Sequence, residues 1–451
     1  MNVLVLNGSP SGKDSITLQT VLYIEKLFPD IHFEILNVSQ RIRQYEKDFS
    51  ACLTAMEKAD LILFCYPVYT FLVPSQLHRF IELMKEQKVS IAGKYATQLT
   101  TSKHFYDTTA HQFIEDNCTD LGLKYIRGLS ADMEDLLSRK GQKEAESFFR
   151  YVLWNMETGC FETQAIREAG KELKTSSLPS EGADHQNGNC VIIADYDEHS
   201  VRLKAMIDRF ICKVPMHTKI VNIREFPFAG GCLGCFNCAA DGKCIYKDGF
   251  DTFLREQIQT ADAMVYAFEV RDHSMGYRFK MFDDRQFCNG HRTVTMGKPV
   301  AYLIDGDLSQ ERNLMNVIEA RAEVGGNFLA GTACSENDPD GEIDRTAVRL
   351  GYAHMNQYQP PKNFWGVGGL TIFRDLIWQM QGMMKADHEF YKKNGFYDSF
   401  PQRHKVKTAA MYLVGAMMRN EKLRKKMGGR MTEGMVMPYK AVIDQAGKKQ
   451  K

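Results

Sequence analysis

Apolar residues fall in short runs along this chain, and the runs are separated by stretches of helical period. NVLVL (2–6) is one such run, followed by a Gly/Ser/Pro turn and a helical stretch over about 15–28. HFEILNV (32–38) predicts a second strand and LILFCY (61–66) a third, with a helix carrying Leu53, Met56 and Ala59 between them. The third run has no polar interruption, as a strand buried on both faces requires. PSQLHRFIELMKEQ predicts a helix with Pro74 in its first turn. KYATQLTT and KYIRG supply two more strands around a further helix, and a helix near 140–157 closes the block. Strands alternating with helices of this length predict a doubly wound parallel sheet.

KELKTSSLPSEGADHQNGN (171–189) is polar and rich in Ser, Gly and Pro, which marks a linker. The plan then restarts. CVIIADY reads as a strand, SVRLKAMIDRFI as a helix, HTKIVNI as a strand and GFDTFLREQIQT as a helix. ADAMVYAF matches ADLILFCY in place and character, and KPVAYLID matches KYATQLTT. The repetition predicts an α/β duplication, with one domain over 1–170 and another over 190–345. Beyond about 345 the strand signal fades. LTIFRDLIWQMQGMMKADHEFYKK and KVKTAAMYLVGAMMRNEKLRKKM read as amphipathic helices, so 346–451 is expected to be a helical C-terminal extension. Its Met and aromatic stripe reads as packing. Lys422, Arg424, Lys425 and Lys426 read as a solvated face near a helix C-terminus.

Composition narrows the class. The net charge of +1 removes any bulk electrostatic case for nucleic acid or an acidic membrane surface. The start reads as a strand rather than a signal peptide, and no apolar run approaches the ~18 residues that span a bilayer. A cytosolic (cytoplasmic) protein is expected, so twelve cysteines do not imply a disulfide framework. Eight are scattered singly and read as small buried hydrophobes, but four stand together in GCLGCFNCAADGKC.

NGSPSGKDSITL (7–18) joins the first strand to the first helix, where backbone N–H groups and a helix N-terminus attract an anion. Ser9, Ser11, Ser15 and Thr17 add hydroxyl groups. A triphosphate-binding loop needs G-x4-G-K-[ST]. Here Gly8 and Gly12 stand one residue too close, and Asp14 follows Lys13. YPVYTFLVPSQLHRFIE (66–82) follows the third strand, and Tyr69 and Phe71 could flank a flat ring there. Together these stretches resemble the flavodoxin-like NAD(P)H-dependent FMN reductase superfamily, over roughly residues 1–157 and more weakly 190–335. The resemblance implies a flavodoxin-like fold for both domains and an FMN site on the first. Ser9, Pro10, Ser11, Gly12, Ser15 and Thr17 would hold the phosphate. Pro67, Val68, Tyr69, Thr70 and Phe71 would line the ring, and Thr100, Thr101 and Ser102 would close the third side. Ser11 departs from the Arg or Lys common there, and Lys13 could compensate.

The second block differs at the matching turns. Asp195, Asp197 and Glu198 would repel a phosphate, and Glu269 and Asp272 stand where P-x-Y is lost. It alone carries Cys232, Cys235, Cys238 and Cys244, spaced x2, x2, x5. Three thiols within seven residues suit the corners of a [4Fe–4S] cube better than zinc, which takes separated pairs. A cluster, zinc and bare structural thiols all stay open. The spacing resembles the bacterial and archaeal iron–sulfur flavoprotein family, in which a cluster of one subunit lies near FMN of another. Carried over, the two blocks would form a fused pseudo-dimer. ENDPDGEID (336–344) lacks the register of an EF-hand and reads as an acidic surface loop. His104, His273, His291 and His388 show no ligand spacing, and no side chain stands out as an acid–base catalyst.

The expectation is therefore an FMN-dependent oxidoreductase. Reduced nicotinamide, NAD(P)H, or a ferredoxin-like protein would supply electrons, and a small molecule or protein partner would accept them. The alternative is a non-enzymatic electron carrier or a thiol- or flavin-based redox sensor. A homodimer stays open.

Overall fold

The structure, a computed structural model, describes residues 1–105, 107–162, 170–185, 188–336, 338–419 and 421–422. It falls into two compact units, Met1–Phe390 and Tyr391–Lys451.

Two parallel sheets organise the first unit. One holds β1 (Asn2–Asn7), β2 (His32–Leu36), β3 (Leu61–Pro67), β4 (Tyr95–Ser102), β5 (Lys124–Tyr125) and β6 (Leu129–Asp132). Its order is β2-β1-β3-β4-β5, with β6 also on β4. The expected strand KYIRG is strand only over its first two residues: β5 pairs with Tyr95 and Ala96, and a further strand just beyond it, β6, pairs from Leu99 to Ser102. The second sheet holds β7 (Asn189–Ala194), β8 (His217–Asn222), β9 (Ala263–Glu269), β10 (Pro299–Asp305) and β11 (Phe328–Cys334), ordered β11-β10-β9-β7-β8. Counted within each sheet, both read 2-1-3-4-5, the flavodoxin-like doubly wound order.

The first sheet carries α1 (Ile16–Leu27), α2 (Ile42–Tyr45), α3 (Ser50–Lys58), α4 (Ser75–Glu86), α5 (Asp107–Asp120) and α6 (Arg139–Thr158). The second carries α7 (Val201–Lys213), α8 (Cys238–Asp241), α9 (Phe250–Phe253), α10 (Gly276–Arg285), α11 (Arg312–Gly325) and α12 (Pro339–Met355). Then follow α13 (Phe364–Gln379), α14 (Lys385–Lys393) and α15 (Lys405–Met418).

Several hydrogen bonds occur twice, once in each half. Asn2 N donates to Asp60 Oδ2 at 2.8 Å, and Asn189 N to Asp262 Oδ2 at 2.9 Å. Lys94 Nζ caps the carbonyls of Glu57 and Ala59; Lys298 Nζ caps those of Gln259 and Ala261. Gly93 N reaches Gly122 O, and Gly297 N reaches Gly326 O. The halves also meet through like elements, α4 on α10 and α5 on α11. One apolar cluster runs through both, from Phe80 and Phe113 to Phe279 and Phe282.

Some expectations shift. Pro74 is the N-cap of α4, just outside its first turn. The expected boundary at 345/346 falls inside α12, which packs on β11 and α7 and so completes the second sheet's covering. The acidic stretch read as a loop opens that helix, with Asp338 accepting from Gly341 N as its N-cap. GFDTFLREQIQT winds as α9 and then as a π-turn over Leu254–Ile258. The start of the 171–189 segment is pinned to the second half: Lys171 N reaches Asp307 Oδ2 and Lys174 N reaches Ser335 O. In the second unit, Tyr391 packs edge-on against Phe396, centroids 4.8 Å apart, and Tyr397 stacks on Phe400. Arg424, Lys425 and Lys426, with the rest of 423–451, lie outside the described residues. All twelve cysteines are unpaired. Among the described residues, no helix is long and apolar enough to cross a membrane.

Candidate functional site

Parallel strands end on the same side of a sheet, so the turns after β1, β3 and β4 are neighbours. The strand order reverses between β1 and β3, and a crevice opens at such a switch point. The sequence-predicted groups converge there. Val68 N donates to Thr101 O at 3.2 Å, and the hydroxyls of Thr17 and Thr101 lie 2.6 Å apart. Pro67 sits opposite Thr101 and Tyr66 opposite Thr100 in the β3–β4 register.

The first turn is organised from below by Asn7, which sequence reading missed. Its Nδ2 donates to Gly12 O at 2.9 Å and to Asn37 Oδ1 at 2.8 Å, while its Oδ1 accepts from Ser9 N. Ser9, Ser15 and Thr17 are buried. Ser9 Oγ accepts from Ser11 N, and Ser15 is the N-cap of α1, accepting from Leu18 N. Gly12 has φ +56°, and a Cβ there would run into Gln40. These residues fit a phosphate in kind: small side chains, hydroxyl donors and the N-terminus of a twelve-residue helix.

The ring side is a tight turn. Tyr69 and Leu72 exchange backbone hydrogen bonds, with Thr70 at φ +41° and Phe71 at φ +71° between them. Two left-handed residues in a row make a primed turn, for which Asn and Gly are the preferred residues. The second half repeats it at Arg271–Ser274, with Asp272 at +49° and His273 at +64°. The Tyr69 ring meets Phe287 edge-on, with centroids 5.6 Å apart. Phe71 is buried against Phe105, which meets Phe373 of α13 edge-on in turn. Ser102 donates to Asp107, and Thr100 Oγ1 lies 2.8 Å from His111 Nε2.

The cysteine loop of the second half rests on this turn. Gln76 Nε2, in α4, donates to Cys232 O at 3.2 Å. A Cβ at Gly234 would overlap the hydroxyl of Tyr69, and one at Gly231 would overlap Ser75 and Gln76. Only glycine lets the loop come this close. Burial pushes the Tyr69 phenol up, with Cys232, Asp284 and Cys235 nearby adding to the effect. Arg43 of the first half also donates to Ala229 O beside the loop.

Within the loop, Gly234 N points at Cys232 Sγ, 3.5 Å away, and Cys238 Sγ reaches Phe287 O at 3.1 Å. Burial pushes the Cys232 thiol up to about 12 and the Cys238 thiol to about 11, with neighbouring loop cysteines adding to both. Four thiols in one loop suit a thiophilic metal centre, which would supply the positive charge that thiolates need. That fit is one of donor chemistry. Among the described residues, no three His, Cys, Asp or Glu side chains converge in metal-holding geometry.

The second sheet has its own crevice at the matching switch point, a cavity of about 680 Å³. Asp197, Glu269, Asp305, Asp307 and Glu311 line it, with Arg202 and Arg271. Arg202 Nε is tied to Asp305 at 2.8 Å and Arg271 to Glu269 at 2.9 Å. This acidic wall agrees with the expected loss of a phosphate site there.

The strand order of both sheets defines a flavodoxin-like fold, and the turns after β1, β3 and β4 of the first sheet form its crevice. Residues 1–114 match the family described as NADPH-dependent FMN reductase. Among curated proteins the chain is similar to an iron-sulfur flavoprotein of Archaeoglobus fulgidus, 28% identical over 174 residues, covering 37% of this chain and 79% of the relative. Among solved structures it is similar to an FMN-dependent NADH-azoreductase from Bacillus anthracis in complex with FMN. That likeness is 12% identical, with a TM-score of 0.28, over 34% of this chain and 99% of the other. A WrbA-like flavodoxin from Agrobacterium tumefaciens is 14% identical, with a TM-score of 0.26, over 38% of this chain and 99% of the other.

Proposed function

We propose that the protein is an oxidoreductase whose first half holds FMN and whose second half brings a thiolate-held [4Fe–4S] centre to it. The carrying observation is the seating of the Cys232–Cys244 loop on Tyr69, Ser75 and Gln76 of the other half. The name of the archaeal relative supports the pairing of flavin with iron and sulfur. FMN, when bound, exchanges electrons in pairs or singly and so joins a two-electron reaction to a one-electron carrier. The chain's own part is placement. Ser9, Ser11, Ser15 and Thr17 hold the phosphate end with the first-turn amides of α1. The 67–71 turn and Thr100–Ser102 fix the ring, and the four cysteines hold the second centre. NAD(P)H or a ferredoxin-type protein is the proposed donor, and a small molecule the proposed acceptor. The two halves are read as one duplicated domain, joined as a pseudo-dimer.

A second reading has its own observation. The four thiols do not converge in the described structure. On that reading the loop acts through thiols or packing, and the protein is a simpler flavin reductase or a redox sensor.

Anaerobic purification with iron, acid-labile sulfide and flavin counted per chain separates the two. About four iron and one FMN per chain support the first reading. Cys235→Ser should then remove the iron and spare the FMN. FMN without iron supports the second. Neither cofactor overturns both.

A further inference from the structure

The halves do more than touch: each supplies an acceptor to the start of the other's helix. Asp284 of α10 accepts from Ser75 N at 2.8 Å, and Glu82 of α4 accepts from Tyr277 N at 2.8 Å. Two positions are equivalent by this register, His78 with Lys280 and Glu82 with Asp284. Both pairs are buried and spaced i, i+4. They differ in chemistry. His78 faces Glu82 across 3.2 Å and stacks on Phe113. Lys280 points into the opposing turn. Its three donors are all engaged, on Tyr69 O at 2.9 Å, Thr70 Oγ1 at 2.7 Å, and Asp284. Thr70 Oγ1 donates in turn to Asp284 at 2.8 Å.

We propose that Lys280, carried by the second half, is a positioning residue for the ring site on the first half. The inference rests on the reading of that site as a flavin site. Thr70 is β-branched and left-handed, a conformation that persists only where the surroundings over-determine it. Lys280 and Asp284 supply that constraint from across the interface. Both side chains are fully buried. A buried pair of this kind adds little stability over an apolar one, so its worth lies in what it orients. It also turns the ammonium end of the Lys280–Asp284 pair toward the segment read as lining the ring, so that loss of Lys280 leaves the carboxylate there alone. Reduction makes a flavin more electron-rich, and a preoriented cation nearby favours the reduced form. The second half's turn is held by different groups, at its acidic and imidazole side chains rather than by a buried lysine. Its Asp272 is met by Lys85 at 2.9 Å, and His273 by Asp120 at 2.7 Å.

The test compares the full wild-type chain with Lys280→Met, Thr70→Asn and the double variant. FMN affinity is read by fluorescence and the flavin midpoint potential by dye titration. Lys280→Met should weaken FMN about tenfold and lower the potential. Asn tolerates the left-handed region, so Thr70→Asn in the Lys280→Met background should restore most of the affinity. It should leave the potential low, because the charge is still missing. If Lys280→Met does not fold, Lys280→Gln carries the test: it keeps a donor, so the potential falls more than the affinity. A folded Lys280 variant with wild-type affinity and potential overturns the inference while wild type still binds FMN. A double variant with no recovery of affinity also overturns it. A wild-type chain that binds no FMN overturns the flavin reading, and this inference with it.

Discussion

Raising the pH through 9 should loosen the join between the halves at His273. This residue stands in the second half's left-handed turn and is nearly buried. Its Nδ1 lies 3.0 Å from Glu311 Oε1, and its Nε2 lies 2.7 Å from Asp120 Oδ2 of the first half. Lys85 also meets Asp120 and Asp272. Burial alone would push the imidazole down, but hydrogen bonds and charge from Asp120 and Glu311 win and raise it from 6.5 to about 9. The folded value lies above the unfolded one. The stabilisation is therefore complete below about pH 6.5 and is lost as pH rises through 9. The interval corresponds to about 3 kcal/mol, and screening at the partly exposed Asp120 reduces it to about 2 kcal/mol. Urea unfolding of the wild type and of His273→Gln at pH 6, 7.5 and 9.5 measures it. The wild type should exceed the variant most at pH 6, and the gap should close by pH 9.5. A gap of the same size at all three values would refute the reasoning.

Three further outcomes follow from the geometry. Phe250 is fully buried among Phe226, Phe228 and Phe282, so Phe250→Ala should cost about 3–5 kcal/mol in urea unfolding. Gly234→Ala adds a left-handed penalty of about 1–2 kcal/mol and an overlap with Tyr69; it should shift the Tyr69 environment in near-ultraviolet dichroism and lower the urea midpoint. Thr17→Val removes the hydroxyl that meets Thr101 and should weaken FMN by about tenfold without changing the far-ultraviolet spectrum.

What was legible in the sequence follows from how local each signal is. Apolar runs such as Leu61–Tyr66 declared their strands because burial on both faces leaves no polar position. The turn after β1 and the turn after β3 could be paired because parallel strands bring their C-terminal ends together. β11 went unread: Gly331 and Thr332 interrupt its apolar run. α12 was misread because its first turn is acidic, and an acidic stretch looks like a loop until its N-cap is seen. Lys280 and Asp284 were the harder case. On a helix, that spacing reads as a solvated ion pair worth little. Its meaning appears only when α10 packs on α4, a contact that no local pattern encodes. Asn7 likewise acts through Gly12 and Asn37, which the sequence sets apart.

The exchanged acceptors have a consequence for what counts as a foldable piece. Ser75 takes its acceptor from the second half, and Tyr277 takes its acceptor from the first. Neither half is self-sufficient. Severing the chain near Leu178, which is 70% exposed, should therefore leave two fragments that stay associated. Expressed apart, they should behave as a split protein, incomplete singly and restored by complementation.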